Sequence, residues 1–153
     1  MNFNQLSTYK EKVLSKLLAS GEIREALSTS VENPEASLLY HNIYPYLYIP
    51  DVLTEEKAFI CMDCTVPRLE TGTTKEVNII LYIYSHKNAI SMLKDGYNGT
   101  RIDYLMEKTD QLLADSKDFG IGRVRLLKTS RFHCEKTYYG QILIYTFSDF
   151  TAN

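Results

Sequence analysis

From Leu6 onward the apolar positions fall at Tyr9, Val13, Leu14, Leu17 and Leu18. That three-and-four spacing draws one stripe down a helix, which Ser20-Gly21 should end. Ile23, Ala26 and Leu27 keep the same period past Gly21, predicting a short second helix before a polar loop over Ser28–Glu35. The period then drops to two. Ile43, Leu47 and Ile49 would share one face of a strand with Pro45, and Tyr44, Tyr46 and Tyr48 would share the other. Pro45 has no N–H to give a ladder, so this strand belongs at an edge or a strand entrance. Alternation resumes with Ala58, Ile60, Met62, Cys64 and Val66 on one side and Phe59, Cys61, Asp63 and Thr65 on the other. After a polar connection from Pro67 to Lys75, the run from Val77 to Tyr84 is apolar or aromatic on both faces and predicts the central strand.

Asp95-Gly96-Tyr97-Asn98-Gly99 is dense in turn residues, and Thr100 stands where a helix N-cap would, with Asp103 at the reciprocal position of a capping box. Ile102, Leu105, Met106, Leu112 and Leu113 form a second stripe that should end near Ser116. Gly120 and Gly122 bracket the entry to a strand reaching Phe132, and a tight connection at His133–Lys136 returns the chain along Tyr138 to Phe147. The predicted fold class is α+β, an antiparallel sheet of about five strands in the order α-β-β-β-α-β-β. An N-terminal helix and a second long helix pack on it, burying Leu14, Leu17, Leu105 and Leu112. With no repeat or composition break, residues 1–153 read as a single domain.

Composition narrows the function classes. Hydrophobic residues make up 44% and charged residues 24%, which excludes a disordered or low-complexity chain. A formal net charge of -2 supplies no global field for nucleic acid or an anionic membrane. The longest uncharged run, Ala36–Pro50, is broken by Pro45 and loaded with tyrosine hydroxyls, so no membrane span is expected. Met1-Asn2-Phe3-Asn4-Gln5 has neither a basic nor an apolar leader region, so the cytoplasm is the expected compartment of synthesis. Cys61, Cys64 and Cys134 are then expected as reduced thiols.

Candidate chemistry is sparse. Cys61 and Cys64 have C-x-x-C spacing, but an offset of three on a strand sends them to opposite faces, with Cys64 in the core and Cys61 half-exposed; zinc and redox use are not expected. His41, His86 and His133 lie in separate connections and no nucleophile elbow is present. Glu55, Glu56, Asp63, Glu70 and Glu76 read as surface carboxylates flanking turns rather than a metal-nuclease cluster. Gly120-Ile121-Gly122 lacks the third glycine of a dinucleotide loop. No catalytic, cofactor-binding or metal-ligating residue is therefore assigned. Alternation places Arg123, Arg125 and Arg131 on one basic strand face, near Lys128 and Lys136, which reads first as a solvated face. Twelve Tyr and six Phe with no Trp form a high aromatic share, and Tyr44, Tyr46 and Tyr48 are the candidate subunit-interface residues.

Asn42-Ile43-Tyr44-Pro45-Tyr46, Arg101-Ile102-Asp103-Tyr104 and Phe119-Gly120-Ile121-Gly122, together with the size and element order, resemble tail-terminator proteins of tailed bacteriophages and phage-derived tail particles. These are also called tail-completion or tail-to-head joining proteins. The likeness covers roughly Leu6 to Phe150. It implies an α+β subunit with helices on one side of an antiparallel sheet, assembled as a sixfold ring that caps the tail tube and ends its polymerisation. The implied partners are further copies of the chain, the tail tube protein, and a neck or head-closure protein. DNA would slide through the lumen without sequence-specific binding, and no membrane is involved. The implied location is the neck–tail junction of the virion, after synthesis in the bacterial host cytoplasm, and no catalysis or cofactor is implied. Two other readings stand beside it: another neck component such as a head-closure protein, and a small metal-dependent nuclease or zinc-binding module.

Overall fold

The computed structural model describes residues 2–27, 38–52, 54–70, 72–94 and 96–151; the loop expected over Ser28–Glu35 lies outside them. The first apolar stripe becomes α1 (Asn4–Ala19), which buries Tyr9, Val13 and Leu17. The short continuation becomes α2 (Gly21–Leu27), burying Ile23, Ala26 and Leu27. Strands follow as β1 (Ile43–Tyr44), β2 (Ala58–Leu69), β3 (Thr74–His86), β4 (Ser91–Lys94) and β5 (Tyr97–Thr100). Then come α3 (Arg101–Leu113), β6 (Ile121–Cys134) and β7 (Tyr138–Phe150). Thr100 caps α3 as its position predicts, its hydroxyl accepting from the Asp103 N–H at 3.1 Å.

Five strands form one sheet in the order β1-β2-β3-β7-β6, and β3 is its centre, as its two-sided apolar character requires. The sheet is mixed rather than antiparallel throughout, because β1 runs parallel to β2, pairing Ile43 with Ile60 and Tyr44 with Cys61. The expected strand through Ile49 is also cut short. Pro45 has no N–H for a ladder, so β1 is an edge of two residues, and Leu47 and Ile49 lie 38% and 37% exposed instead of sharing its inner face. β4 and β5 add a separate small hairpin that the turn-rich sequence conceals; it delivers the chain to α3.

The three helices lie on one face of the sheet. Beneath them Ile60, Met62, Val77, Ile79, Leu81, Ile83, Leu143, Tyr145 and Phe147 form the main core with Leu17 and Leu105, which are fully buried. Leu14 and Leu112, expected to be as deep, are only partly buried on the flanks of their stripes. Lys75 continues the inward phase of Val77 and Ile79, so its chain lies under α1 with no exposure. Its ammonium donates to the Gln5 side chain and to the Phe150 carbonyl, which satisfies a charge that would otherwise be costly to bury. Beside it, the Tyr9 hydroxyl donates to the Asp149 carboxylate.

Candidate subunit interface

The sheet's other face carries a second, aromatic core. Tyr44, Phe59, Cys61, Tyr84 and Tyr138 are buried there, flanked by Tyr48, Tyr82, Phe132 and Cys134. The segment after Pro45 folds back over this face. Tyr44 and Tyr48 stack at 4.1 Å between ring centroids, and Phe59 stacks on Tyr84 at 5.0 Å. Polar ends of the rings are satisfied by the same segment: Tyr84 donates to the Tyr48 carbonyl, Tyr138 to the Glu55 carbonyl at 2.9 Å, and Tyr48 to the Glu55 carboxylate at 3.0 Å. Burial pushes the Tyr138 phenol up to about 12.

This arrangement divides the three interface candidates. Tyr44 is 6% exposed and belongs to the aromatic core, and Tyr48 is half-buried as part of the same stack. Tyr46 is 50% exposed and alone of the three presents its ring to solvent. Around it the loop also exposes Leu39, Tyr40, Leu47, Ile49 and Val52.

Cys61 and Cys64 do face opposite sides of β2, but Cys61 is buried in the aromatic core rather than half-exposed, because the returning segment covers that face. Burial pushes its thiol up to about 11 and that of Cys64 up to about 12. Among the described residues no group of three His, Cys, Asp or Glu converges as metal ligands. The carboxylates considered as a cluster are engaged separately: Asp63 with Lys10 at 3.6 Å, Glu76 with Arg68 at 3.7 Å, Glu56 with Asn88 and Glu70 with Ser148. His86 is buried against Tyr138, its Nδ1 accepting from the Asn88 N–H at 3.1 Å.

The basic face is corrected. Arg125 pairs with Thr146 whereas Arg131 pairs with Gln141, and those two partners lie on opposite faces of β7. A register shift between Leu126 and Lys128 inserts an extra residue and inverts the alternation behind it. Arg123 and Arg125 therefore line a hollow on the face away from the helices, with Arg68, Glu70 and Glu76, while Arg131 lies on the helix face. A second irregularity between Ile121 and Arg125 contains Gly122, whose φ of 78° suits glycine.

Sequence reasoning missed a groove of about 260 Å³ between α3 and β6. Met106, Leu126 and Leu143 give it apolar walls, and Asp103, Glu107 and Asp110 stand along α3. The i, i+4, i+7 spacing of these acids was a readable signal of one helix face. It lacked meaning without knowing that β6 reaches past the helix. Tyr145 donates to Asp110 across the groove at 2.8 Å.

Among the described residues no helix is long and apolar enough to cross a membrane. Comparison with curated proteins yields no match. A family model described as YomW matches residues 12–147, a span that takes in the second half of α1, most of the main core, the aromatic core and all of β6. The match covers most of the chain, which belongs to the YomW family, and a family name of phage-gene type suggests a phage-associated protein.

Proposed function

We propose that this chain is a non-enzymatic structural subunit of a phage tail, a tail terminator that forms a ring on the end of the tail tube, stops its growth and joins it to the neck. The observation that carries the reading is β6. Along its whole length only Val124 is buried, while Ile121, Leu126 and Leu127 are exposed. A long edge strand open on both faces and along its outer side is a liability in a solitary protein and an asset in an assembly. The exposed loop around Tyr46 supplies an apolar, aromatic surface at the opposite edge of the sheet, so the subunit has contact surfaces on two sides. The β6 side is free to meet a neighbouring copy in a ring of heterologous contacts, which leaves the Tyr46 loop for the tube or neck.

The phage-type family name supports the setting, and the resemblance in element order supports the particular role. The test is assembly of tail tubes with and without the purified chain, followed by electron microscopy. Tubes of bounded length ending in sixfold density attributable to the chain are expected. Tubes that lengthen without limit in its presence, with bare ends, overturn the reading; a twelvefold ring transfers the chain to the head-closure role.

A further inference from the structure

We propose that the groove between α3 and β6 is the socket of a head-to-tail contact between copies of this chain, and that its occupant is the cationic back face of a neighbour's β6, centred on Arg125 and Lys128. The proposal rests on the ring reading for its biological setting and adds to it the contact itself.

The socket has an apolar floor, Met106, Leu126 and Leu143, beneath the acidic stripe Asp103, Glu107 and Asp110. Its volume of about 260 Å³ is several times the ~30 Å³ share of one water molecule, so side chains rather than a trapped water fit it. Among the described residues Asp103 and Asp110 form no ion pair; Glu107 accepts from the Gln111 amide at 3.1 Å and feels Lys108, whose ammonium is bonded to Glu22 at 2.7 Å, and Asp110 accepts from Tyr145. The occupant must bring positive charge on a stem that can lie along an apolar wall.

β6 offers that chemistry. It carries Arg123, Arg125, Lys128 and Arg131 with no Asp or Glu, and none of these cations has a carboxylate partner among the described residues. Arg125 and Lys128, opposite Thr146 and Ile144, stand on the face away from α3, whereas Leu126 and Thr129, opposite Tyr145 and Leu143, stand on the groove face. Arg131 stands on the helix face, but the sheet separates Arg123, Arg125 and Lys128 from the acidic stripe, so one molecule cannot pair these internally. Like cations would oppose one another if two β6 edges paired directly, which disfavours a symmetric dimer through that edge. What remains is the front of one copy against the back of the next, a heterologous contact that propagates in one direction and can close.

Charge reversal provides the test. Sedimentation of the full chain at low ionic strength should show concentration-dependent association that added salt weakens. Glu107→Lys and Lys128→Glu, both at exposed positions, should each weaken association at least about tenfold while leaving thermal unfolding unchanged. An equal mixture of the two variants, and the double variant E107K/K128E, should each recover association to within about threefold of the original. The proposal is overturned by absent self-association of the original chain, by single variants that associate normally, or by a double variant no better than the singles. Salt-sensitive binding of short duplex DNA to the same cations, without self-association, also overturns it. Failure here with sixfold density still present on capped tubes removes this contact and leaves the ring; uncapped tubes with intact charge rescue remove the terminator role and leave the contact.

Discussion

Tyr145 on β7 donates its hydroxyl to the Asp110 carboxylate on α3 at 2.8 Å, and this bond ties the helix to the sheet at the edge of the groove. Burial and the neighbouring carboxylate both hold the phenol well above its ordinary value, so it stays a donor at every physiological pH. Tyr145→Phe deletes the donor and leaves Asp110 facing an apolar wall. A loss of about 1–3 kcal/mol in urea unfolding is expected, whereas Tyr139→Phe, on an exposed ring, should change stability by less than about 0.5 kcal/mol. Equal effects at the two positions would show that the bond contributes nothing to holding α3.

The thiols give an alkaline pH dependence whose sign is determined by burial. Cys61 and Cys64 titrate near 9.0 in a free chain but are pushed up to about 11 and about 12 in the fold. Below pH 9 both states hold these protons and stability does not depend on them. Above it the unfolded chain releases protons that the folded chain keeps, so stability falls as pH rises through 9 to about 11–12. Urea midpoints should stay level up to about pH 8.5 and fall from about pH 9 to 11. At pH 8 a thiol reagent should modify the half-buried Cys134 first and reach Cys61 and Cys64 only on unfolding. Fast reaction of all three in the folded protein would overturn the packing of both cores.

Gly140 lies where β7 passes closest to β3. A Cβ built there meets the Ile83 carbonyl and the Tyr84 backbone and side chain, all parts of the central strand rather than movable surface groups. Gly140→Ala must push the strands apart or displace the Tyr84 ring from Phe132 and Tyr138, with centroids now at 5.1 and 5.7 Å. A destabilisation on the order of 1–3 kcal/mol is expected from the urea midpoint. The same substitution at Gly72, where nothing lies within 4 Å of the added carbon, should be nearly neutral.

Local signals in the sequence were legible where one rule acted alone. Thr100 followed by Asp103 marks the start of α3, and the two-sided apolar run of Val77–Tyr84 marks the central strand. The phase of β3 also extends to Lys75, so its burial could have been read from Val77, Ile79 and Leu81, had the polar connection not been assumed to run up to it. Other features depend on contacts distant in sequence. The inserted residue between Leu126 and Lys128 has no glycine or proline to announce it, yet it reverses the face of every later side chain on β6, including Arg131. Cys61 reads as half-exposed on an alternating strand because nothing in its own segment says that the chain after Pro45 will return to cover it. The interface candidates divide for the same reason: alternation places Tyr44, Tyr46 and Tyr48 together, but only tertiary packing distinguishes a core ring from a surface one.

That distinction gives the final prediction. Tyr46 and Tyr44 touch edge-on at 5.7 Å between centroids, yet one ring is half in solvent and the other is enclosed by Tyr40, Tyr48 and Phe59. Tyr46→Asp places a charge where water can solvate it, so monomer stability should change by less than about 0.5 kcal/mol while assembly on tail tubes is impaired. Tyr44→Asp places the charge inside the buried aromatic stack, and should destabilise the subunit by several kcal/mol, on the order of what a buried unpaired charge costs. Thermal melts of the two variants, followed by tube binding for whichever remains folded, separate the roles. If both melt like the original chain, the stack over the aromatic core is not a structural unit; if Tyr46→Asp binds tubes normally, the loop around it is not a contact surface of the ring.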